Sequence, residues 1–429
     1  MDPWNRKTLR LFAVALLAGA AHAQTELELP DIPAPRITVP GVQKAGGDVI
    51  NGTTDIADLT LRRLSGLRSL KIDRLVRENR ENLERDPAGE LVIRAEVIAI
   101  DISDAALERA LAQKFLLKRT QQLPELGVKI TVLQAPEGWS ARRGLKELRA
   151  LDPQGTYDFN HVYLEGGEAA STPALPPAAA GARGGGRVGL IDGGVDTAHE
   201  VLRQLVFQRF GCNGDVVPNT HGTAVAAILA THLEVKEIYA ADVYCGLPTG
   251  GAVDAVAAAF AWLARERVGV INVSLVGPRN ALLERIVGIL VQHGFLIVAA
   301  VGNDGPSAPP LYPASYPGVV GVTAVDSKHR VLVEACRGEQ VDFAALGADM
   351  KAATQAPDVY APVRGTSFAA PIVAALMAGD LAAPDVAERD RVIAKWTSAA
   401  NDLGKRGRDD IYGAGELGDL PAAAARASQ

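Results

Sequence analysis

The 429-residue chain predicts an α/β protein, a parallel sheet with helices on both faces, preceded by a small α+β domain. From residue 187 onward, continuous apolar runs alternate with helical stretches, the pattern of a sheet covered on both sides. Between residues 91 and 164 shorter elements follow in the order strand, helix, strand, helix, strand, which suits two helices on one face of an antiparallel sheet. Between these regions, residues 166–186 carry Pro173, Pro176, Pro177 and Gly184-Gly185-Gly186 among many alanines, the chemistry of a linker.

Composition narrows the function. Apolar residues make up 48% of the chain and charged ones 22%, which excludes a disordered chain, a collagen-like repeat and a small disulfide scaffold. A net charge of −6 with no Lys/Arg block, and only 5% aromatic residues, argues against a nucleic-acid binder.

The elements are expected as follows. Residues 1–23 read as a signal peptide: Arg6, Lys7 and Arg10 precede an apolar run over 11–21, and Ala21-His22-Ala23 supplies small residues for cleavage. That run is too short to span a bilayer, and no other stretch is long and charge-free enough, so no membrane span is expected after signal removal. Residues 24–90 form a flexible lead and a charged helix over 58–85, read as a solvated helix packed on one neighbour. The α+β domain (91–165) places strands at 91–100, 128–134 and 159–164 and helices at 104–122 and 140–151. In the last region (187–429), strands are expected at 187–192, 237–243, 270–275, 295–301 and 319–325, with helices at 221–232, 252–265 and 280–293. Sites on such sheets gather at the carboxyl ends of the strands.

Four segments fall at such places: Ile191-Asp192-Gly193-Gly194, His221-Gly222-Thr223, Val301-Gly302-Asn303 and Gly365-Thr366-Ser367-Phe368-Ala369-Ala370-Pro371. Each alone is weak, since a lone His at a helix start is more often a cap and a Gly-Thr-Ser more often a helix entry. Together, in the order Asp, His, Ser, they point to a nucleophilic hydroxyl with its base and orienting carboxylate. An esterase elbow would need Gly-x-Ser-x-Gly and the order Ser, acid, His, and this chain has neither at Ser367.

Residues 187–418 resemble the catalytic domain of subtilisin-family (subtilase) serine proteases. The likeness rests on these motifs, on Asn272-Val273-Ser274-Leu275, on 312–317 and on 407–413. It implies a subtilisin-like sheet and an exported endopeptidase in which Asp192, His221 and Ser367 are the triad and Asn303 an oxyanion donor. Pro371 is expected in the first turn of the serine helix. The family usually has Ser or Thr after the aspartate, where this chain has Gly193, so a water or backbone N–H is expected to make that contact. Ser274, Leu275, Val276 and Gly277 would form a substrate strand and, with Leu311 at the pocket floor, replace two family glycines by Val276 and Leu311. A narrowed pocket would then prefer a small apolar residue before the cut bond.

Residues 91–165 resemble, in element order, the ferredoxin-like intramolecular chaperone domains that precede subtilase catalytic domains. This implies that the chain's own N-terminal domain is a partner, aiding folding and blocking the cleft until the linker is cut, with Ala169 and Ala170 among the candidate sites. Protein or peptide substrates are the other partners, and the location is periplasmic or extracellular. Export permits disulfides; Cys212 and Cys245 flank the same edge and are the candidate pair, leaving Cys336 as a buried thiol. The triad requires no cofactor and no metal ligand set is evident; structural calcium, common in the family, has no distinctive carboxylate cluster here. The competing function is a catalytically inactive subtilase-like binding module of the cell envelope.

Overall fold

The computed structural model describes residues 68–169, 186–232, 235–356 and 358–418. These lie in one compact unit that begins at Thr53. The residues expected to be a signal peptide and a flexible lead, and most of the expected linker, fall outside the described residues.

The first helix, α1, is described over residues 68–78. It stops short of the expected 85 because Asn79 and Asn82 turn the chain: the Asn79 side chain donates to the Leu75 carbonyl, and Asn82 N–H to the Asn79 carbonyl. Residues Leu83–Arg85 are instead strand β1. The α+β domain follows as β2 (Leu91–Ile100), α2 (Asp104–Ala112), β3 (Leu116–Leu123), β4 (Val128–Gln134), α3 (Ala141–Leu151) and β5 (Thr156–His161). Ser103 and Ser140 cap α2 and α3 with side-chain oxygens that accept from Ala106 and Arg143 N–H.

Two sequence expectations need correction. The helix expected over 104–122 ends at Ala112; Lys114, at φ 66°, turns the chain, and β3 runs back along β4. β3 is a largely exposed edge strand carrying Lys118, Arg119 and two glutamines, so it lacks the apolar alternation that marks a strand. Its presence completes the order βαββαβ, with β5, β2, β4 and β3 side by side, a ferredoxin-like sheet. The strand expected over 159–164 is β5, which ends at His161, and residues beyond it leave the sheet.

Alternation in β2 sends its side chains two ways. Val97 and Ala99, with Leu133, face α2 and α3, while Ile98 and Ile100, with Ile130 and Val132, join the apolar cluster of the following domain. Each such side chain contributes about 2 kcal/mol of transfer free energy. Polar contacts complete the junction: Asp158 accepts from Ala281 N–H at 2.8 Å, and Arg119 bridges Glu96 and Asp254.

The large domain comprises β8 (Gly186–Asp192), β9 (Val206–Phe210), α4 (Thr220–Thr231), β10 (Val235–Asp242), α5 (Val253–Arg265), β11 (Val270–Val273), β12 (Leu275–Val276), α6 (Ala281–Gln292), β13 (Leu296–Ala300), β14 (Val320–Val325), β15 (Phe343–Leu346), β16 (Met350–Ala353), β17 (Tyr360–Arg364), α7 (Thr366–Ala378) and α8 (Val386–Ala399). Seven strands form one parallel sheet in the order β15-β14-β13-β11-β8-β10-β9. The chain reverses its winding beside β8, so the crevice lies at the ends of β8 and β11. Helix α7 is apolar almost all round and buried in the core. Asn280 and Asp385 cap α6 and α8.

Beyond β5, Leu164–Glu165 (β6) pairs antiparallel with β12, and within the residues expected to be linker Glu168–Ala169 (β7) pairs with β17. Cys212 and Cys245 form a disulfide with Cα atoms 5.2 Å apart, and Cys336 is a buried free thiol. Among the described residues no helix is long and apolar enough to cross a membrane.

Candidate active site

Asp192 ends β8 and is fully buried. His221 stands in the first turn of α4, whose N-cap Asn219 accepts from the N–H groups of His221 and Gly222. This places His221 Nδ1 2.9 Å from Asp192 Oδ1 and 3.1 Å from Oδ2. The backbone N–H of Gly193 donates to Asp192 Oδ1 at 2.7 Å. A Cβ at Gly193 would come within 2.6 Å of the Asn219 side chain, so the cap that orients His221 excludes a larger residue there.

Ser367 is the second residue of α7, after Gly365 at φ 137°. Its Oγ donates to the Ser274 carbonyl at 3.1 Å, and Ser274 Oγ donates to the Ser367 carbonyl at 2.9 Å. Pro371 lies inside α7, not in its first turn as expected. Lacking an N–H, it leaves the Ser367 carbonyl, four residues earlier, free to accept from Ser274. Asn303 follows Gly302, itself at φ 102°. Asn303 Oδ1 accepts from Thr366 N–H at 3.0 Å, which orients the amide. Its Nδ2, like His221 Nε2, is buried without a hydrogen-bond partner among the described residues. Burial lowers the His221 pKa, but Asp192, with Glu165 adding, outweighs it and leaves the imidazole raised.

The cleft is occupied by the chain itself. Glu165 pairs with Leu275 and Leu164 with Val276. Gly166 N–H points to the Ser274 carbonyl at 3.4 Å, and Glu168 and Ala169 pair with Arg364 and Val363. A Cβ on Gly166 would lie 2.8 Å from Ser367 Oγ and 3.4 Å from a Val276 methyl. A Cβ on Gly365 would lie 3.1 Å from the Gly166 carbonyl oxygen and 3.0 Å from Asn303 Nδ2, so both converge on one spot. Tyr163 is 1% exposed, with its ring against Gly277 and its hydroxyl donating to the Pro278 carbonyl at 2.7 Å. Gly277 therefore makes room for Tyr163, whereas Val276 flanks Gly166. Leu311, 3% exposed, packs against Gly302 with Cys336 beside it.

Helix α1 backs this strand. Ile72 and, less buried, Leu75 pack with Val162 and Leu164. Arg68 pairs with Glu90 at 2.8 Å and reaches Asp304, the residue after Asn303, at 3.6 Å. Sequence reasoning missed Tyr163, Glu165, Gly166, Gly167, Asn219 and Arg68. The signal available for the glycines was a Gly-Gly pair between two glutamates at the edge of the linker. Side chains that converge within 4.8 Å among the described residues include Cys212-Asp242-Cys245 and Glu165-Asp192-His221. These offer a disulfide and an imidazole, not the all-oxygen set calcium takes, so no step is assigned to that ion.

A parallel sheet in this strand order, with an Asp at one strand end, a His on a flanking helix and a Ser opening a central helix, defines a subtilisin-like fold. The chain belongs to the subtilase family, whose model matches residues 184–415. It is 33% identical over 210 residues to the "Minor extracellular protease Epr" of Bacillus subtilis (strain 168), covering 46% of this chain and 32% of that one. It is 29% identical over 253 residues to "Subtilisin DY" of Bacillus licheniformis, covering 56% and 90%. The match thus spans about a third of the first relative and most of the second. Among solved structures it resembles fervidolysin from Fervidobacterium pennivorans, described as a keratinolytic enzyme related to subtilisin, with a TM-score of 0.63 at 19% identity over 79% of this chain and 63% of that one. That likeness concerns the fold, and it reaches beyond the family-matched residues.

Proposed function

We propose that the protein is an exported serine endopeptidase that cuts its own chain between Gly166 and Gly167, using Ser367, His221, Asp192 and Asn303. The observation that carries this reading is the extended segment 164–169, paired on both sides and presenting the Gly166 carbonyl beside Ser367 and Asn303. Ser367 Oγ turns from the Ser274 carbonyl to His221 Nε2, gives up its proton and attacks the Gly166 carbonyl carbon. The resulting oxyanion takes hydrogen bonds from Asn303 Nδ2 and the Ser367 N–H. Asp192 holds the imidazolium, which then protonates the Gly167 nitrogen as the bond breaks; water, deprotonated by His221, releases Gly166 from the serine.

The freed N-terminal part keeps its apolar junction with α5 and α6 and its strand in the cleft, so it acts as an inhibitor until it dissociates. Its Asp158, at the N-terminal end of α6, suits a role in folding as well. Export is supported by the signal-like residues 1–23 and by the extracellular relative. The inactive-module reading loses ground because His221 Nε2 and Asn303 Nδ2 are both buried without a hydrogen-bond partner among the described residues. A fluorophosphonate probe tests the reading: the processed protein is expected to be labelled at Ser367, and an unlabelled processed protein refutes it.

A small residue before the cut bond fits Gly166 beside Val276. Matched peptides with Ala or Phe at that place are expected to differ at least tenfold in favour of Ala. Faster cleavage after Phe would overturn the preference.

Glu165 makes self-cutting depend on pH. His221 must be neutral to accept the serine proton, and the Glu165 and Asp192 carboxylates favour its cation, opposed by Lys71 on α1. With the imidazole raised, activity is lost as pH falls through that raised value. Glu165→Gln removes one stabilising charge, so the acidic limb of the self-cutting rate should move to lower pH. An unmoved limb refutes the role of Glu165.

A further inference from the structure

We propose that helix α1 is a strap that holds the cut strand in the cleft, with Arg68 as its fastening to the catalytic half, so that opening of α1 sets when the processed enzyme becomes active. This rests on the self-cutting reading and concerns the step after the cut. α1 precedes β1 and stands outside the βαββαβ order, so it is an addition to that small domain. Its apolar side reaches two ways. Ile72, with Leu75 and Val76, shares one cluster with Leu83 and Leu91 of the N-terminal sheet and with Val162 and Leu164 of the segment entering the cleft. Leu164 thus has α1 beside it while its backbone pairs with Val276.

The fastening is a cluster of three charges. The Arg68 side chain is 9% exposed and donates to Glu90 Oε2 at 2.8 Å. Its Nε, buried without a hydrogen-bond partner among the described residues, stands 3.6 Å from Asp304 Oδ2. Glu90 leaves with the N-terminal part and Asp304 stays with the catalytic half, so this one guanidinium joins the two products of the cut. Among the described residues no other cation lies within ion-pair distance of Asp304. Burial raises the Asp304 carboxyl above its ordinary range; Arg68 opposes this and Glu90 adds to it. The two carboxylates therefore repel across the junction, and the guanidinium between them makes the contact attractive. Taking out the middle member of such a cluster leaves its partners uncompensated, which weakens the hold by about a hundredfold. Lysine keeps the charge but not the fork that serves two carboxylates, a loss of about tenfold.

Two measurements test the strap. In chains that have cut themselves, intact mass reports the two parts and peptide hydrolysis reports when the cleft is free. Because Arg68 departs with the N-terminal part, the freed enzyme is the same molecule in every variant. On dilution of the cut complex, activity is expected to appear about a hundredfold faster with Arg68→Ala than in the wild type, and about tenfold faster with Arg68→Lys. Adding Glu90→Gln to Arg68→Ala removes the repulsion and should slow release again several-fold, which loss of the arginine stem's packing would not produce. Release from Arg68→Ala at the wild-type rate, or from the double variant as fast as from the single, overturns the inference while leaving the protease reading intact. The second measurement needs no catalysis. In the full chain carrying Ser367→Ala, amide exchange of residues 164–166 is expected to quicken about tenfold or more when Arg68→Ala is added, and unchanged exchange overturns the strap. If the wild-type chain never cuts itself, self-processing falls and the exchange result decides the strap alone.

Discussion

Replacing Ser367 by alanine is expected to leave the Gly166–Gly167 bond intact, so that the protein accumulates as one uncut species. The mature form of the wild-type chain should begin at Gly167. The expected loss is about 10⁶-fold in turnover, a magnitude that belongs to subtilisin itself and is carried over to this chain through the shared triad. It should be this large because Ser367 Oγ is the hydroxyl set against Gly166, 2.8 Å from where a Cβ on that residue would stand. The fold should survive: the substitution removes one hydrogen bond to the Ser274 carbonyl, while Ser274 Oγ still reaches the residue-367 carbonyl. An intact Cys212–Cys245 disulfide and an unchanged thermal midpoint of the uncut chain are the controls. Intact mass and N-terminal sequencing give the readout. A variant chain cut at Gly166 as fast as the wild type would show that another protease does the cutting, and the proposed self-processing would fall.

How much of this could be read from sequence depends on how local each signal is. Asp192, His221, Asn303 and Ser367 each end a strand or open a helix, so a short motif names them and the parallel-sheet pattern places them at one edge. The strands of the large sheet are apolar runs and are equally legible. β3 was not, because an edge strand keeps its charges outward and has no apolar face to alternate with. The occupant of the cleft was illegible for a different reason. Residues 164–169 carry two glycines and two glutamates and have no periodicity; their strand character comes from β12, more than a hundred residues later, and from β17, nearly two hundred later. Tyr163 read as the end of a small domain's strand because nothing local reveals that its ring leaves that domain for a pocket in the next. Pro371 is a case where position within the helix carries the meaning. One turn further in than expected, it frees the Ser367 carbonyl for Ser274 and ties the serine to the substrate strand.

Asn303→Ala is expected to lower turnover by ~10²–10³, again a value known for the corresponding donor in subtilisin, with little change in KM. The geometry explains why the effect should fall on turnover. Asn303 Oδ1 is already engaged by Thr366 N–H, while Nδ2 is a buried donor with no partner among the described residues. Such a donor costs stability when the cleft is at rest and is repaid only when negative charge develops on the carbonyl oxygen nearby. Asn303→Ala removes this donor and also the acceptor of Thr366 N–H, so the two effects oppose each other and stability should change little while the chemical step slows. Asn303→Asp sharpens the argument, because a carboxylate can still accept from Thr366 N–H but presents an acceptor where a donor is needed. It should slow turnover at least as much as Asn303→Ala, through repulsion of the oxyanion. The measurement is single-turnover hydrolysis of one peptide by processed wild-type and variant enzymes, alongside their thermal midpoints. Turnover within fivefold of wild type in both variants would remove Asn303 from the mechanism, and would leave the Ser367 N–H to hold the oxyanion without it.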